Sequence, residues 1–271
     1  MDLEAKLRDE PACAPRSPGR RWRRPRTRCR STPPVATTTA TTRCGDCAPS
    51  LTATALGFDA FKIKVGERRS TSTSPAPRQP WTWPAPDRAR RRRQRTVRRE
   101  AAQTYGRALA PYGLRWFEEP GDLLDYALLR QLIDGYAGPV ATGENLFSAA
   151  DAENLVRFGG MRPEVDVIQV DPGLSYGITE YLRVLDRLEA HGFDRTRCFP
   201  HGGHLINLHV VVGLGLGGCE AYPGVFGRLR GYALRAPSAG ARWRPATRRG
   251  SGWREKPDLA SHLAAMVEDL A

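Results

Sequence analysis

Trp116-Phe117-Glu118-Glu119-Pro120 opens the stretch that decides the fold, and that stretch runs on to Tyr222. Within it lie a Gly143-Glu144-Asn145 turn, Asp171 behind an apolar run, and His201 behind Phe199-Pro200. Short β-like runs alternate with helix-like runs, and an acid, a histidine or a Pro-bounded turn closes nearly every β-like run. The units recur at roughly 25–30 residues, the length of one βα unit. This pattern predicts an α/β protein of the (β/α) TIM-barrel type, whose chemistry sits at the C-terminal ends of the strands.

Element by element, Glu100–Tyr112 reads as a helix and Leu114–Phe117 as a strand. Asp122–Tyr136 is amphipathic, with Leu123, Leu124, Tyr126, Ala127, Leu128, Leu132 and Ile133 on a broad apolar face. Pro139–Thr142 reads as a strand. Ser148 is placed to N-cap the next helix, with Asp151 in the capping-box position three residues on. Val165–Val170 reads as a strand ending at Asp171, and Ile178–His191 as a helix. Cys198-Phe199 is a short strand, Leu205–Leu216 a glycine-spotted apolar helix, and Cys219–Tyr222 the closing strand.

Outside the core block at 100–226 the pattern survives only in pieces. Residues 1–12 read as a linker helix into the barrel, 55–67 as a barrel strand, and 255–271 as a terminal helix. Residues 13–54, 68–99 and 227–254 are aberrant, rich in Arg, Pro, Thr and Ala, and 13–54 and 68–99 are expected to be disordered. Within 55–67, Phe61, Ile63 and Val65 alternate with Lys62 and Lys64, so a strand puts both lysines on one face. That face can line a barrel interior if anions lie nearby. It can equally be the solvated side of an edge strand, since lysine is rarely buried unpaired.

The chain has 271 residues, enough for one barrel-sized domain or two small ones. No apolar run reaches about 18 residues, so no membrane span is expected. The N-terminus carries acids and no apolar core of a signal peptide, so a cytoplasmic location is expected. Of six cysteines, only Cys44 and Cys47 have suggestive spacing, and no second pair follows to complete a zinc site. The net charge of +13 raises the alternative of a basic nucleic-acid-binding protein. Its distribution argues against that reading. Residues 101–226 hold nine arginines, no lysine and sixteen acids, a net charge of −7. The positive excess lies in Arg16–Arg30, Arg88–Arg99 and Arg228–Arg254, which are nearly free of lysine and rich in Pro, Thr and Ala, unlike the Lys/Arg mixtures of nucleic-acid arms. No nucleic-acid or membrane partner is expected.

Glu118 and Glu144 end neighbouring strands, so their carboxylates aim at one volume and suit a hard divalent cation such as Mg²⁺. Such a site wants a third oxygen ligand. Asp171 and His201 end later strands. A carboxylate beside an imidazole fixes its tautomer and raises its basicity, as a general acid/base requires. Lys64 would approach from the opposite side. Together these groups suit removal of a proton next to a carboxylate, with the cation stabilising the enediolate and an acid assisting loss of hydroxide. Plainer readings stand beside these. Glu119 reads as structural, and His201 or His204 can be a hydrogen-bonded core histidine.

The block resembles the enolase superfamily, mandelate racemase/muconate lactonizing branch, and within it the D-tartrate dehydratases. The resemblance rests on Lys62-Ile63-Lys64, Trp116–Asp122, Ala141–Ser148, Asp171 with Leu174-Ser175-Tyr176-Gly177, Pro200-His201-Gly202-Gly203-His204, and Gly213–Gly218 leading into Glu220-Ala221-Tyr222-Pro223. It implies a Mg²⁺-dependent hydro-lyase acting on a small hydroxy acid, often in a homo-oligomer. It implies Glu118 and Glu144 as Mg²⁺ ligands, Lys64 as the base, Lys62 assisting at the carboxylate, and His201, oriented by Asp171, as the acid that expels the β-hydroxyl. Glu220 and His204 are implied at the substrate. Another sugar-acid dehydratase or a racemase of the same superfamily is the alternative.

Two departures from the family pattern stand out. The N-terminal capping domain is expected to be missing, and the first metal-ligand strand, of Val-Asp-Ala-Asn type, is expected to be replaced by Arg91–Arg99. Codons can be chosen for Arg91–Arg99 that, read one base later, spell Val-Asp-Ala-Asn-Gly-Arg-Phe-Asp-Ala. Codons for Pro34–Arg43 can likewise spell Gly-Gly-Tyr-Tyr-Tyr-Gly-Asp-Asp-Ala, which resembles the family's first strand. We therefore read the Arg-rich stretches as frame-shifted, and expect a truncated barrel with impaired or no activity.

Overall fold

The computed structural model describes residues 2–10, 12, 35–37, 61–62, 102–122, 124–221, 251–252, 256, 259, 261–262 and 264–265. In chain order the elements are α1 (Asp2–Leu7), β1 (Val35–Thr37), β2 (Phe61–Lys62), α2 (residues 102–109), β3 (Phe117–Glu118), α3 (Tyr126–Gly135) and β4 (Val140–Thr142). They continue with α4 (Ala149–Phe158), β5 (Val167–Ile168), α5 (Ile178–Ala190), α6 (Leu205–Leu214) and β6 (Glu220–Ala221). Short 3-10 turns lie at Ala110–Tyr112 and Arg195–Arg197. No helix among the described residues is long and apolar enough to cross a membrane.

Two parallel sheets form, in the orders β2-β1-β6 and β3-β4-β5. Glu118 stands opposite Ala141, and Thr142 opposite Ile168. Cys198 extends the second sheet through a parallel bridge to Ile168. Gly217 N–H then donates to Cys198 O at 3.1 Å, three residues before β6 begins. Parallel neighbours joined by helices are what the strand–helix alternation predicts.

Period-two alternation sorts the strand side chains between two layers. Phe117, Val140 and Ile168 join the large core under the helices, with Leu132, Leu155, Tyr181, Leu188 and Val210. Ala141, Val167 and Phe199 turn to the other face, with Trp116 packed against them. Each fully buried leucine, such as Leu132, Leu155 or Leu188, contributes roughly 1.5–3 kcal/mol. The helix starts follow their capping chemistry. Asp125 accepts from Leu128 N–H at 3.0 Å to start α3. Ser148 and Asp151 form the expected capping box at α4, with both reciprocal hydrogen bonds made. α4 is tied to α5 by Ala149 N–H donating to Glu180 Oε1 at 2.9 Å.

The N-terminal ends of β4 and β5 are locked by one buried charge. Asp166, fully buried, accepts from Val140 N–H at 2.9 Å and from Arg162 N–H at 2.7 Å. Arg162 also grips it with Nε at 3.0 Å and Nη2 at 2.7 Å. The same guanidinium donates to Tyr136 O and Gly138 O. This clamp is why the strand expected over Val165–Val170 narrows to Val167–Ile168. Val165 and Asp166 N–H both turn back to Arg162 O.

Within the stretch 13–54, expected to be disordered, the structure holds a strand. The β-branched Val35 and Thr37 flank Ala36 in β1, and β1 pairs with both β2 and β6. The remaining residues of 13–54, and those of 68–99, lie outside the described residues, as do Cys44, Cys47 and Arg91–Arg99. Gly215, at φ 69°, ends α6 two residues before the expected end, because its amide closes on Val211 O in a left-handed cap.

Candidate active site

The C-terminal ends of β3 and β4 bring Glu118 and Glu144 together, and His201 joins them from the loop after Cys198. One donor atom from each of Glu118, Glu144 and His201 lies within 4.8 Å of the other two. Glu118 Oε2 is held by two donors, Trp116 Nε1 at 3.1 Å and Gln169 Nε2 at 3.0 Å. Trp116 reaches it because residues two apart in a strand share a face. Glu144 follows Gly143, whose φ of 110° excludes most side chains and whose absent Cβ leaves room for Val170.

Glu119 turns the other way. Its φ of 44° is left-handed, and its Oε1 accepts from Gly143 N–H and Thr142 Oγ1, each at 2.9 Å. Glu119 therefore ties the β3 end to the β4 turn, which matches its structural reading. Burial pushes its carboxyl up to about 7; the two hydrogen bonds oppose the rise and the neighbouring carboxylates of Glu144 and Glu118 add to it.

His201 takes its carboxylates from Glu144 and Glu220. Nδ1 lies 2.8 Å from Glu144 Oε2 and 3.5 Å from Glu220 Oε2. Burial disfavours the imidazolium, but Glu144 and Glu220 outweigh it and push His201 up to about 10. Glu220 is almost fully buried at the start of β6.

Asp171 was expected to orient His201, and here the structure differs. Asp171 accepts from Gly173 N–H at 2.6 Å, from Asn207 Nδ2 at 2.6 Å and from Gly202 N–H. Its imidazole is that of His204, with Nε2 at 3.8 Å. The physical reason is the Gly202 approach. A Cβ there would stand 2.5 Å from Asp171 Oδ2 and 2.6 Å from His204 Nε2, so the backbone itself fills the position beside the carboxylate. His204 also N-caps α6, its Nδ1 accepting from Asn207 N–H at 3.3 Å. That leaves Nε2 as the protonated nitrogen facing Asp171.

Burial raises the Asp171 carboxyl, but His204, Asn207 and Gly173 N–H outweigh it and hold the group below the ordinary carboxylate range. A depressed folded pKa stabilises the fold above the unfolded carboxylate value of about 4 and is lost as pH falls through the folded one. The stability gap between wild type and Asp171→Asn, read as Tm, is therefore expected to be full at pH 6–7 and to close below about pH 4. A gap that widens on acidification contradicts this.

Lys64 lies outside the described residues. Lys62 is placed in β2 by its backbone alone. Sequence reasoning missed Gln169 and Asn207, both fully buried. Gln169 had a signal: it is a polar residue in an apolar strand run, two residues before Asp171 and so on the same face. Asn207 had a weaker one, an amide in the apolar run Leu205–Leu214.

A cation fits the donor set. Two carboxylates supply hard oxygen donors, and Glu118 and Glu144 would hold the ion beside His201. Comparison with known proteins agrees with this chemistry. Over 112 residues the chain is 32% identical to an L-talarate/galactarate dehydratase from Salmonella typhimurium, covering 41% of this chain and 26% of that protein. Over 116 residues it is 32% identical to an L-rhamnonate dehydratase from Saccharopolyspora erythraea, covering 42% and 28%. The matched stretch thus spans about a quarter of the length of these relatives. A crystal structure of the Salmonella talarate/galactarate dehydratase with Mg and L-lyxarohydroxamate shares the fold, with a TM-score of 0.63 at 22% identity, over 93% of this chain and 61% of that one. The family model for enolase C-terminal domain-like proteins matches residues 48–222, more than half of the chain, and the chain therefore belongs to that family.

Proposed function

We propose that the chain descends from a Mg²⁺-dependent dehydratase of hydroxy or sugar acids, built on an incomplete (β/α) barrel, and keeps part of its site. The observation that carries this reading is the convergence of Glu118, Glu144 and His201 within 4.8 Å at strand ends. Bound Mg²⁺ would supply positive charge to the substrate carboxylate as its α-carbon loses a proton. Glu118 and Glu144 would hold that ion. Lys64 is the proposed base for the α-proton, and Lys62 the group proposed to assist at the carboxylate. His201, which lies beside Glu144 and Glu220, would give a proton to the departing β-hydroxyl, which leaves as water. Asp171 fixes the turn against which the His201 loop packs, with His204 and Glu220 toward the substrate.

D-tartrate is the finer substrate reading, from the strings Trp116–Asp122 and Ala141–Ser148. The relatives' names favour longer acid sugars instead. The chain as written is proposed to be impaired, since an arginine run replaces the strand carrying a third carboxylate. The test is dehydration of D-tartrate, galactarate, L-talarate and L-rhamnonate with Mg²⁺, read as 2-keto acid formed. Two proteins are compared: the chain as it stands, and one with Arg91–Arg99 replaced by Val-Asp-Ala-Asn-Gly-Arg-Phe-Asp-Ala. Little or no product from the first and measurable product from the second is expected. Rapid turnover by the first overturns the impairment, and silence from both overturns the dehydratase reading.

A further inference from the structure

Gln169 is fully buried beside Glu118, and half of its amide is spoken for. A carboxylate cannot donate, so the amide must present Nε2 to Glu118 Oε2, as it does at 3.0 Å. That orientation leaves Oε1 buried without a hydrogen-bond partner among the described residues. An orphaned buried acceptor is costly and calls for a ligand. The other end of the same amide, Nε2, lies at the carboxylate that the cation reading, on which this inference rests, assigns to a divalent ion.

We propose that Gln169 is the third oxygen donor to that ion, its amide turning over so that Oε1 and Glu118 face the cation together. Rotation about the terminal side-chain bond exchanges Oε1 and Nε2, so Oε1 arrives where Nε2 now stands. Two oxygens in adjacent positions of an octahedral Mg²⁺ shell, each about 2.1 Å from the ion, are about 3 Å apart. The observed 3.0 Å between the amide and Glu118 Oε2 is that edge. Trp116 Nε1, at 3.1 Å, keeps Glu118 oriented when the amide turns. An amide oxygen is a hard donor, which Mg²⁺ prefers to the nitrogen of His201. The third oxygen of the ion would thereby come from an uncharged group.

The test is Mn²⁺ binding to the full chain, followed by electron paramagnetic resonance in ordinary and ¹⁷O-enriched water. Oxygen-17 broadening counts the waters on the metal. Gln169→Met, of similar size, is expected to weaken binding roughly tenfold or more and to add one water to the shell. Gln169→Glu is expected to tighten binding and leave the water count unchanged. Thermal melts of both variants show whether they fold. A folded Gln169→Met variant with wild-type affinity and water count overturns the inference while leaving Glu118 and Glu144 as ligands. A wild-type chain that takes up no Mn²⁺ overturns the inference together with the cation reading. If Gln169→Met does not fold, the Gln169→Glu water count decides: an added water overturns the proposal.

Discussion

Asp166→Ala is expected to cost about 3–5 kcal/mol of folding stability, the cost of breaking a buried ion pair by removing one partner. The carboxylate is fully buried and takes hydrogen bonds from Val140 N–H and from three nitrogens of Arg162. Its removal orphans the Val140 amide at the start of β4 and leaves the guanidinium, among the described residues, with the carbonyls of Tyr136 and Gly138. Arg162 has some solvent access, which places the expected loss toward the lower end of that range. Asp166→Asn keeps the shape but not the charge, and is expected to lose less. Urea unfolding of the three proteins measures the difference. A loss under about 1 kcal/mol for Asp166→Ala would mean that water replaces the clamp. The clamp matters to the site because it fixes where β4 begins, and β4 delivers Gly143 and Glu144.

The second large effect is on cation binding. Glu118→Gln and Glu144→Gln each remove a charged oxygen donor from a site with few of them, and each is expected to weaken divalent-cation binding on the order of 100-fold or more. The two act differently. Glu118 is oriented by Trp116 and Gln169, so its replacement also disturbs the amide of Gln169. Glu144 is paired with His201, so its replacement leaves Glu220 as the nearest remaining carboxylate partner of the imidazole. Asp171→Asn, at a carboxylate held by Gly173, Gly202 and Asn207, serves as a control that should leave cation affinity within about threefold, as expected for a charge outside the shell.

Much of this was legible in the sequence where the signal is local. The Ser148–Asp151 capping box, α5 and the parallel order of β3, β4 and β5 follow from spacing and capping, which act over a few residues. The pairing of Glu118 with Glu144 followed from one further step, that neighbouring parallel strands end side by side. What could not be read were partnerships across long separations. Gln169 meets Glu118 across 51 residues, and Asn207 meets Asp171 across 36. No periodicity encodes which of two histidines an aspartate will choose. The choice of His204 over His201 was made by the backbone of Gly202 pressing against Asp171. Composition also misled at Val35–Thr37, where two sheet neighbours, β2 and β6, supply pairing that a Thr-rich local sequence does not advertise.

The most direct test of the account is a Mn²⁺ titration of the purified full chain and of Glu118→Gln and Glu144→Gln, read by electron paramagnetic resonance. The account predicts one saturable site in the wild-type chain, competed by Mg²⁺ and lost in both variants. Binding of equal strength in all three proteins, or none in any, would contradict it.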